Sequence, residues 1–230
     1  MAYIKKIKTE QDFKTREEWL AHRAKGIGGS DAAAIIGRNP WMTNVELWEI
    51  KTGRKPQEDI SGKACVQYGV KAEDHLRAIF ALDYPEFKVE YRPFNSHRHQ
   101  EYPYLKASLD GWLVNKDTGE CGILEIKTSE INSRIAAEKW ADRVPENYLY
   151  QLLHYFIVKP EATFAILKAQ LKTTKDDGSG IADIRHDTRH YFISRKDFSA
   201  EIEELFKAER RFWEENILKD IPPALIMPQI

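Results

Sequence analysis

The stretch from Ser108 to Thr128, SLDGWLVNKDTGECGILEIKT, constrains the fold more than any other. Ser108, Asp110 and Trp112 alternate with Leu109, Gly111 and Leu113. After the turn Lys116-Asp117-Thr118-Gly119, the run from Gly122 to Lys127 is apolar until its end. Side chains along a strand point alternately to its two faces. Two strands joined by a tight turn are therefore expected, with Glu125 and Lys127 on one face and Ile126 on the other. If the hairpin turns about the Asp117–Thr118 bond, Asp110 falls opposite Glu125 and Ser108 opposite Lys127. A glycine bulge would slip that register by one residue. The pairing gathers two carboxylates and an ammonium on one patch of sheet, an arrangement suited to a divalent-metal hydrolase.

The chain has 230 residues, 42% of them hydrophobic, enough for one sizeable core, so a single domain over residues 1–230 is expected. No apolar run approaches the ~18 residues of a membrane span. The charged N-terminus, MAYIKKIKTEQDFKTREEW, lacks an apolar signal core. Cys65 and Cys121 are too few for a disulfide framework, a four-cysteine zinc site or an iron–sulfur cluster, which fits a reducing cytosol. A net charge of −1 argues against a general nucleic-acid coat. It leaves room for an enzyme that gathers its cations in one channel.

Along the chain, residues 1–14 read as a polar lead-in. Thr15 can cap a helix through Lys25, with Trp19, Leu20 and His22 or Arg23 facing inward. In GIGGSDAAAIIG, Ser30 is a good N-cap and Gly37 closes a short apolar helix. Thr43 and Glu46 match a capping box for a helix from Asn44 to about Thr52, stopped by Gly53. A long helix is expected from Lys63 to Leu82, with the apolar stripe Val66, Val70, Leu76 and Phe80 and with Glu73 on the same stripe. Residues 87–94 alternate like a strand. Helices are expected at Arg134–Ala141 and Glu146–Val158, the latter with Tyr148, Gln151, Leu152 and Tyr155 on one face. Strands are expected at Ala162–Leu171 and 181–194, separated by a turn from Thr173 to Gly180. Asp197–Leu218 reads as an amphipathic helix with Ile202, Leu205, Phe206, Phe212, Trp213 and Ile217 inside. An apolar, proline-rich tail follows. Helices flanking a central mixed sheet place the fold in the α/β or α+β class.

Glu-x-Lys occurs at 49–51, 86–88 and 125–127, so the triplet alone is uninformative. Only the third ends an apolar strand with an Asp on the adjoining one. A surface salt-bridge cluster would look the same. Glu73 adds context, because an unpaired buried carboxylate costs several kcal/mol. Pairing with a Lys or Arg would satisfy it. So would ligation: Asp110, Glu125 and Glu73 carry up to three negative charges, which one or two Mg²⁺ ions would balance through hard oxygen ligands. The Ile126 backbone carbonyl could also face the metal, since backbone carbonyls are acceptable ligands. Such a site suits phosphodiester hydrolysis, with Lys127 holding the attacking water and stabilising developing charge. Gln151 could orient the water or a ligand, or be an ordinary helix-face amide. Arg23, the glycine-rich turn and Ser30 form a candidate phosphate cradle, although the glycines could serve packing alone. Walker-type, HExxH and GxSxG motifs are absent.

With these residues assembled, the sequence resembles the YqaJ-type phage recombinase nucleases, lambda-exonuclease-like members of the PD-(D/E)xK superfamily. The resemblance covers roughly residues 17–160. It rests on EEWLAHRAKGIGGSDAAAIIG, YGVKAEDHLRAIF, SLDG, LEIKT and ENYLYQLLHY, in that order. It implies a restriction-endonuclease-like core, a mixed sheet flanked by helices. It also implies catalysis by Asp110, Glu125 and Lys127, with Glu73 and Gln151 assisting and Tyr148 in support. The metal would be Mg²⁺, with Mn²⁺ substituting, held by Asp110, Glu125, the Ile126 carbonyl and Glu73. A 5′-phosphate would sit on Arg23, Ser30 and Ser108. The superfamily's leading Pro-Asp is Leu109-Asp110 here; the proline is not a ligand, so the chemistry should survive.

The implied activity is 5′-to-3′ digestion of linear double-stranded DNA. It would release mononucleotides and leave a 3′ single strand for a strand-annealing protein of phage recombination. A homotrimeric ring and a cytoplasmic location in a bacterial host are implied with it. The other readings are an endonuclease of the same superfamily and a non-catalytic DNA-end-binding scaffold.

Overall fold

The alternation around the central turn produces the hairpin expected of it. The computed structural model describes residues 9–141, 143–175, 178 and 182–228. In it Gly111 pairs with Leu124, Trp112 with Ile123, Leu113 with Gly122 and Val114 with Cys121. This is the register of a turn about Asp117–Thr118. The Asn115 Oδ1 accepts from the N–H groups of Asp117 and Thr118 at 2.9 and 3.0 Å, and Gly119 completes the turn with φ 74°.

In chain order the strands are β1 (Glu10–Asp12), β2 (Ile27–Gly28), β3 (Phe87–Glu90), β4 (Asn95–Arg98), β5 (Leu105–Ala107), β6 (Gly111–Asn115), β7 (Cys121–Glu130), β8 (Ala162–Lys175) and β9 (Asp183–Ser194). The helices are α1 (Arg16–Ala24), α2 (Gly29–Ile35), α3 (Asn44–Lys51), α4 (Ala64–Asp83), α5 (Arg134–Glu138), α6 (Glu146–Val158) and α7 (Ser199–Arg211). A π-helical turn, Phe212–Ile217, extends α7.

One sheet has the order β3-β6-β7-β8-β9 and is antiparallel except between β7 and β8. A parallel pair needs a long crossover, and the segment carrying α6 supplies it. The other sheet has the order β1-β4-β5-β2. The chain passes from the second sheet to the first through Ser108, Leu109 and Asp110, between β5 and β6. This crossing positions the site described below.

β7 is buried on both faces, which explains its nearly continuous apolar run. Leu124 and Ile126 pack with Leu76 and Phe80 of α4 and with Phe164 and Ile166 of β8. Ile123 joins a larger core with Leu152 and Phe156 of α6 and Leu205 of α7. That face also carries Glu125 and Lys127, as period-2 alternation requires.

The cap signals are realised. Thr15 Oγ1 accepts from Glu18 N at 3.2 Å, and the Thr43/Glu46 box closes at 3.1 and 3.0 Å. The N-cap of α2, however, is Gly28 rather than Ser30, because the Asp31 carboxylate reaches back to Gly28 N at 2.9 Å. Ser30 lies exposed in the first turn. Leu20 and Val70, expected inside, are exposed. On α4 the buried positions step back from Phe80 and Leu76 to half-buried Ala72, Glu73 and Gly69, a helical spacing that leaves Val70 on the outer face. The strands at 162–171 and 181–194 are longer than, or shifted from, those expected, and β1 lies inside the polar lead-in. Residues 1–8 of that lead-in, and much of the turn between 173 and 181, fall outside the described residues. The tail runs back over α3: Asn44 donates to Ala224 O at 2.7 Å and accepts from Ile226 N at 3.0 Å. No helix among the described residues is long and apolar enough to cross a membrane.

Candidate active site

The β6–β7 ladder stops at Gly111–Leu124, and the Asp110 side chain continues it: its Oδ2 accepts from Ile126 N at 2.8 Å. Beside it, Glu125 is 2% exposed. Glu125 Oε1 accepts from Lys127 Nζ at 2.5 Å and from Gln151 Nε2 at 2.6 Å. The same Gln151 nitrogen donates to Tyr155 Oη at 2.7 Å. The Tyr148 ring centroid lies 5.1 Å from Lys127 Nζ. The sequence-predicted Asp110, Glu125, Lys127, Gln151 and Tyr148 therefore meet at one place.

Glu73 of α4 joins them through a cation that sequence reasoning missed. Arg77 donates to Glu73 Oε1 from NH2, to Asp74 Oδ1 from NH1 and to the Asp110 carbonyl from Nε, each at 2.5 Å. Its guanidinium stacks 3.4 Å from the Tyr91 ring centroid. Of its two expected explanations Glu73 has the first, pairing with an arginine; metal ligation, the second, would require its carboxylate to leave Arg77. Arg77 stands four residues after Glu73, on the same face of the helix, which is the signal that could have found it.

Negative charge is crowded even so. Burial, then the Asp110 carboxylate, pushes Glu73 up to about 7. Burial pushes Asp110 above the usual carboxylate range against the pull of Lys127. Burial, then Asp110, pushes Glu125 up to about 8. Burial alone would lower Lys127, but Glu125 and Asp110 outweigh it and hold the ammonium above its ordinary range.

The donor set is one of hard oxygens, and the buried Glu125 Oε2 has no hydrogen-bond partner. An orphaned carboxylate oxygen among mutually repelling carboxylates fits a divalent cation such as Mg²⁺. The Glu73 carboxylate is turned onto Arg77, and among the described residues no three His, Cys, Asp or Glu side chains already converge as a metal cage.

The second constellation adjoins the first. Trp19 Nε1 donates to Ser108 Oγ and to the Asn95 carbonyl, at 3.1 Å each. The Arg23 guanidinium lies 4.5 Å from the Trp19 ring centroid, and a Cβ at Gly28 would stand 4.0 Å from its NH2. A Cβ at Gly29 would press on Tyr155 at 2.6 Å and Gln151 at 2.9 Å, so only glycine lets α2 pack this closely on the Gln151 face of α6. Ser108 is not opposite Lys127 as expected, because the ladder ends before it; it sits on the crossing between the sheets.

Two further residues fix this corner. The buried Asn95 amide accepts from Leu109 N and donates to Leu109 O, both at 2.9 Å, clamping the residue between Ser108 and Asp110. The buried Lys106 ammonium donates to His22 O at 2.6 Å and Lys25 O at 3.1 Å, capping the helix that carries Trp19 and Arg23. Nothing local in the sequence marks either role.

Residues 18–175 match the model of the YqaJ-like viral recombinase domain family. A protein of Bacillus subtilis (strain 168), described as uncharacterized protein YqaJ, is 35% identical over 216 residues, covering 92% of this chain and 59% of that protein. The chain thus spans less than two thirds of that relative's length. Among solved structures, the alkaline exonuclease LHK-Exo from Laribacter hongkongensis superposes with a TM-score of 0.64 at 20% identity, covering 89% of this chain and 94% of its own. LHK-Exo in complex with dAMP gives 0.58 at 19% identity, with 88% and 95% covered. Identities this low show the shared fold, which agrees with the expected PD-(D/E)xK-like core of mixed sheet and flanking helices.

Proposed function

The chain belongs to the YqaJ-like viral recombinase domain family, and on that premise we propose that it is a Mg²⁺-dependent 5′-to-3′ exonuclease of linear double-stranded DNA. The observation that carries this reading is the gathering of Asp110, held on Ile126 N, and of the Glu125–Lys127 pair in a buried corner where Glu125 Oε2 lacks a partner. Asp110, Glu125 and the Ile126 carbonyl would hold the metal, with Glu73 assisting once it leaves Arg77. Mn²⁺ would substitute. When bound, the ion would acidify a water and neutralise charge on the scissile phosphate. Lys127 would hold that water and stabilise the charge that develops. Gln151 keeps Glu125 aimed, and Tyr148 steadies Lys127.

Arg23, Ser30 and Ser108 would anchor the 5′-phosphate. Attack of water on the next phosphorus breaks its bond to the 3′-oxygen, which takes a proton. This frees a mononucleotide and leaves a new 5′-phosphate on the shortened strand, ready for the same anchor. The remaining 3′ strand would pass to an annealing protein of phage recombination in the bacterial cytoplasm. The active form would be a homotrimer built from this single nuclease domain.

The test is digestion of linear duplexes with 5′-phosphate or 5′-hydroxyl ends, beside closed circles, in Mg²⁺ or EDTA. Phosphate-ended linear DNA should be consumed only with Mg²⁺. Equal cutting of circles would make the protein an endonuclease, and metal-independent binding without product would make it a scaffold.

A further inference from the structure

The corner around Ser108 contains a polarity that neither its charge nor its family explains. Ser108 Oγ accepts the Trp19 indole N–H at 3.1 Å. An indole can only donate, whereas a hydroxyl offers one proton and two lone pairs. Trp19 therefore occupies an acceptor position of Ser108 and cannot take its proton. Among the described residues no acceptor takes that proton either. The other half of the indole N–H goes to the Asn95 carbonyl at 3.1 Å, and the Asn95 side chain grips both backbone groups of Leu109. The ring plane is thus tied at its polar edge to the segment that leads into Asp110. Over the ring lies Arg23, half-buried and without a hydrogen bond or ion pair among the described residues.

We infer that Trp19 is a positioning residue that fixes the hydrogen-bond polarity of the anchor. Its N–H commits Ser108 to donating its proton outward, and its face carries the Arg23 guanidinium. A fully ionised phosphate end offers only acceptors and matches both groups. A hydroxyl end carries no charge and brings a proton of its own beside its two lone pairs. Trp19 thereby contributes to discrimination between ends without touching the end itself. This inference rests on the proposed 5′-phosphate anchor, deepens it, and is tested separately from it.

The experiment compares kcat/KM on phosphate-ended and hydroxyl-ended linear duplexes, measured on the same preparation so that any loss of folded protein cancels in the ratio. Trp19→Phe keeps an aromatic face under Arg23 while removing the N–H together with part of the ring. It should lower the phosphate/hydroxyl ratio about fivefold, the scale of one hydrogen bond, through a raised KM for phosphate ends. In a Ser108→Ala background, where there is no hydroxyl to direct, the same change should move the ratio less than about twofold. Equal slowing on both ends, or effects that multiply fully in the double variant, would overturn the role of Trp19 while leaving the anchor standing. If the native protein, like Arg23→Gln, shows no preference between ends, the anchor itself is wrong and this inference falls with it.

Discussion

Helix α6 carries two buried polar side chains three positions apart, and each meets a buried glutamate. Gln151 donates to Glu125 at 2.6 Å, and His154 Nδ1 meets Glu209 of α7 at 2.7 Å. Glu125 is 2% exposed and Glu209 0%, and both leave Oε2 without a partner. The environments differ in charge count. Glu125 shares its corner with Asp110 and Glu73, and Lys127 serves both Glu125 and Asp110. Glu209 faces a single imidazole, whose Nε2 donates to the Lys106 carbonyl at 2.8 Å. That carbonyl is only an acceptor, so with Glu209 ionised the ring is held as an imidazolium donating at both ends. One pocket is short of positive charge and the other is matched. The deficit, rather than burial or an orphaned oxygen, is what makes the Glu125 pocket and not the Glu209 pocket the candidate for a cation.

Removing the glutamate's charge should act with opposite sign in the two pockets. Glu209→Ala leaves His154 without its counter-charge and should cost roughly 3–5 kcal/mol in urea unfolding. The specific activity of the remaining folded protein should be retained. Glu125→Gln, measured in EDTA, should instead leave stability unchanged or raise it by about 1 kcal/mol, because it relieves like-charge crowding. Destabilisation of the metal-free protein by Glu125→Gln would erase the contrast. Lys127→Ala should lower the rate of DNA hydrolysis per folded molecule by about 10²–10³-fold, and should lower the melting temperature as well, because it deepens the charge deficit around Glu125; undiminished hydrolysis would remove Lys127 from the chemistry.

Mg²⁺ at about 100 times its Kd should stabilise the native protein by about 2.7 kcal/mol. The Glu125→Gln variant should not respond, and equal stabilisation of both would place the ion elsewhere. The smallest effect concerns pH. Burial would lower His154, but Glu209 and the Lys106 carbonyl outweigh it and hold it above its ordinary value. A raised folded value means that this stability is complete below the unfolded value of about 6.5 and fades as pH climbs through the folded one. The urea midpoint gap between the native protein and His154→Gln should therefore narrow from about pH 6 to about pH 9. A gap that widens would mean that the ring is buried neutral.

Legibility in the sequence followed the range of the interactions. The hairpin register, the caps at Thr15 and Thr43 and the bounds of α6 rest on patterns within a few residues, and they emerge where expected, whereas the cap expected at Ser30 falls on Gly28. The Asp110–Glu125–Lys127 corner was legible because one hairpin contains all of it. The short strands β1, β2 and β4 were not, since two to four residues show no period and their pairing is decided by distant partners. Val70 was misplaced because apolar character was allowed to outweigh helical spacing. Arg77 was overlooked because a cation on an apolar stripe reads as a surface residue until its carboxylate is known. Asn95 and the His154–Glu209 pair left no local trace, their partners being 14 and 55 residues away.

The sequence separations that limited legibility also order the assembly of the molecule. The bond from Ile126 to Asp110 spans 16 residues and that from Gln151 to Glu125 spans 26, whereas the bond from Trp19 to Ser108 spans 89. Closing the longest of these loops costs about 1.5 kcal/mol more chain entropy than closing the shortest. As the polypeptide leaves the ribosome, Trp19 and Arg23 emerge first but must wait for their partners. The Asp110–Glu125–Lys127 corner can close on local contacts soon after residue 155 is available, and the N-terminal helix docks onto it at a greater entropic cost. A chain caught midway would hold the Asp110–Glu125–Lys127 corner without the Trp19–Ser108 contact, so refolding kinetics should show the docking of the N-terminal helix as a separate, later step.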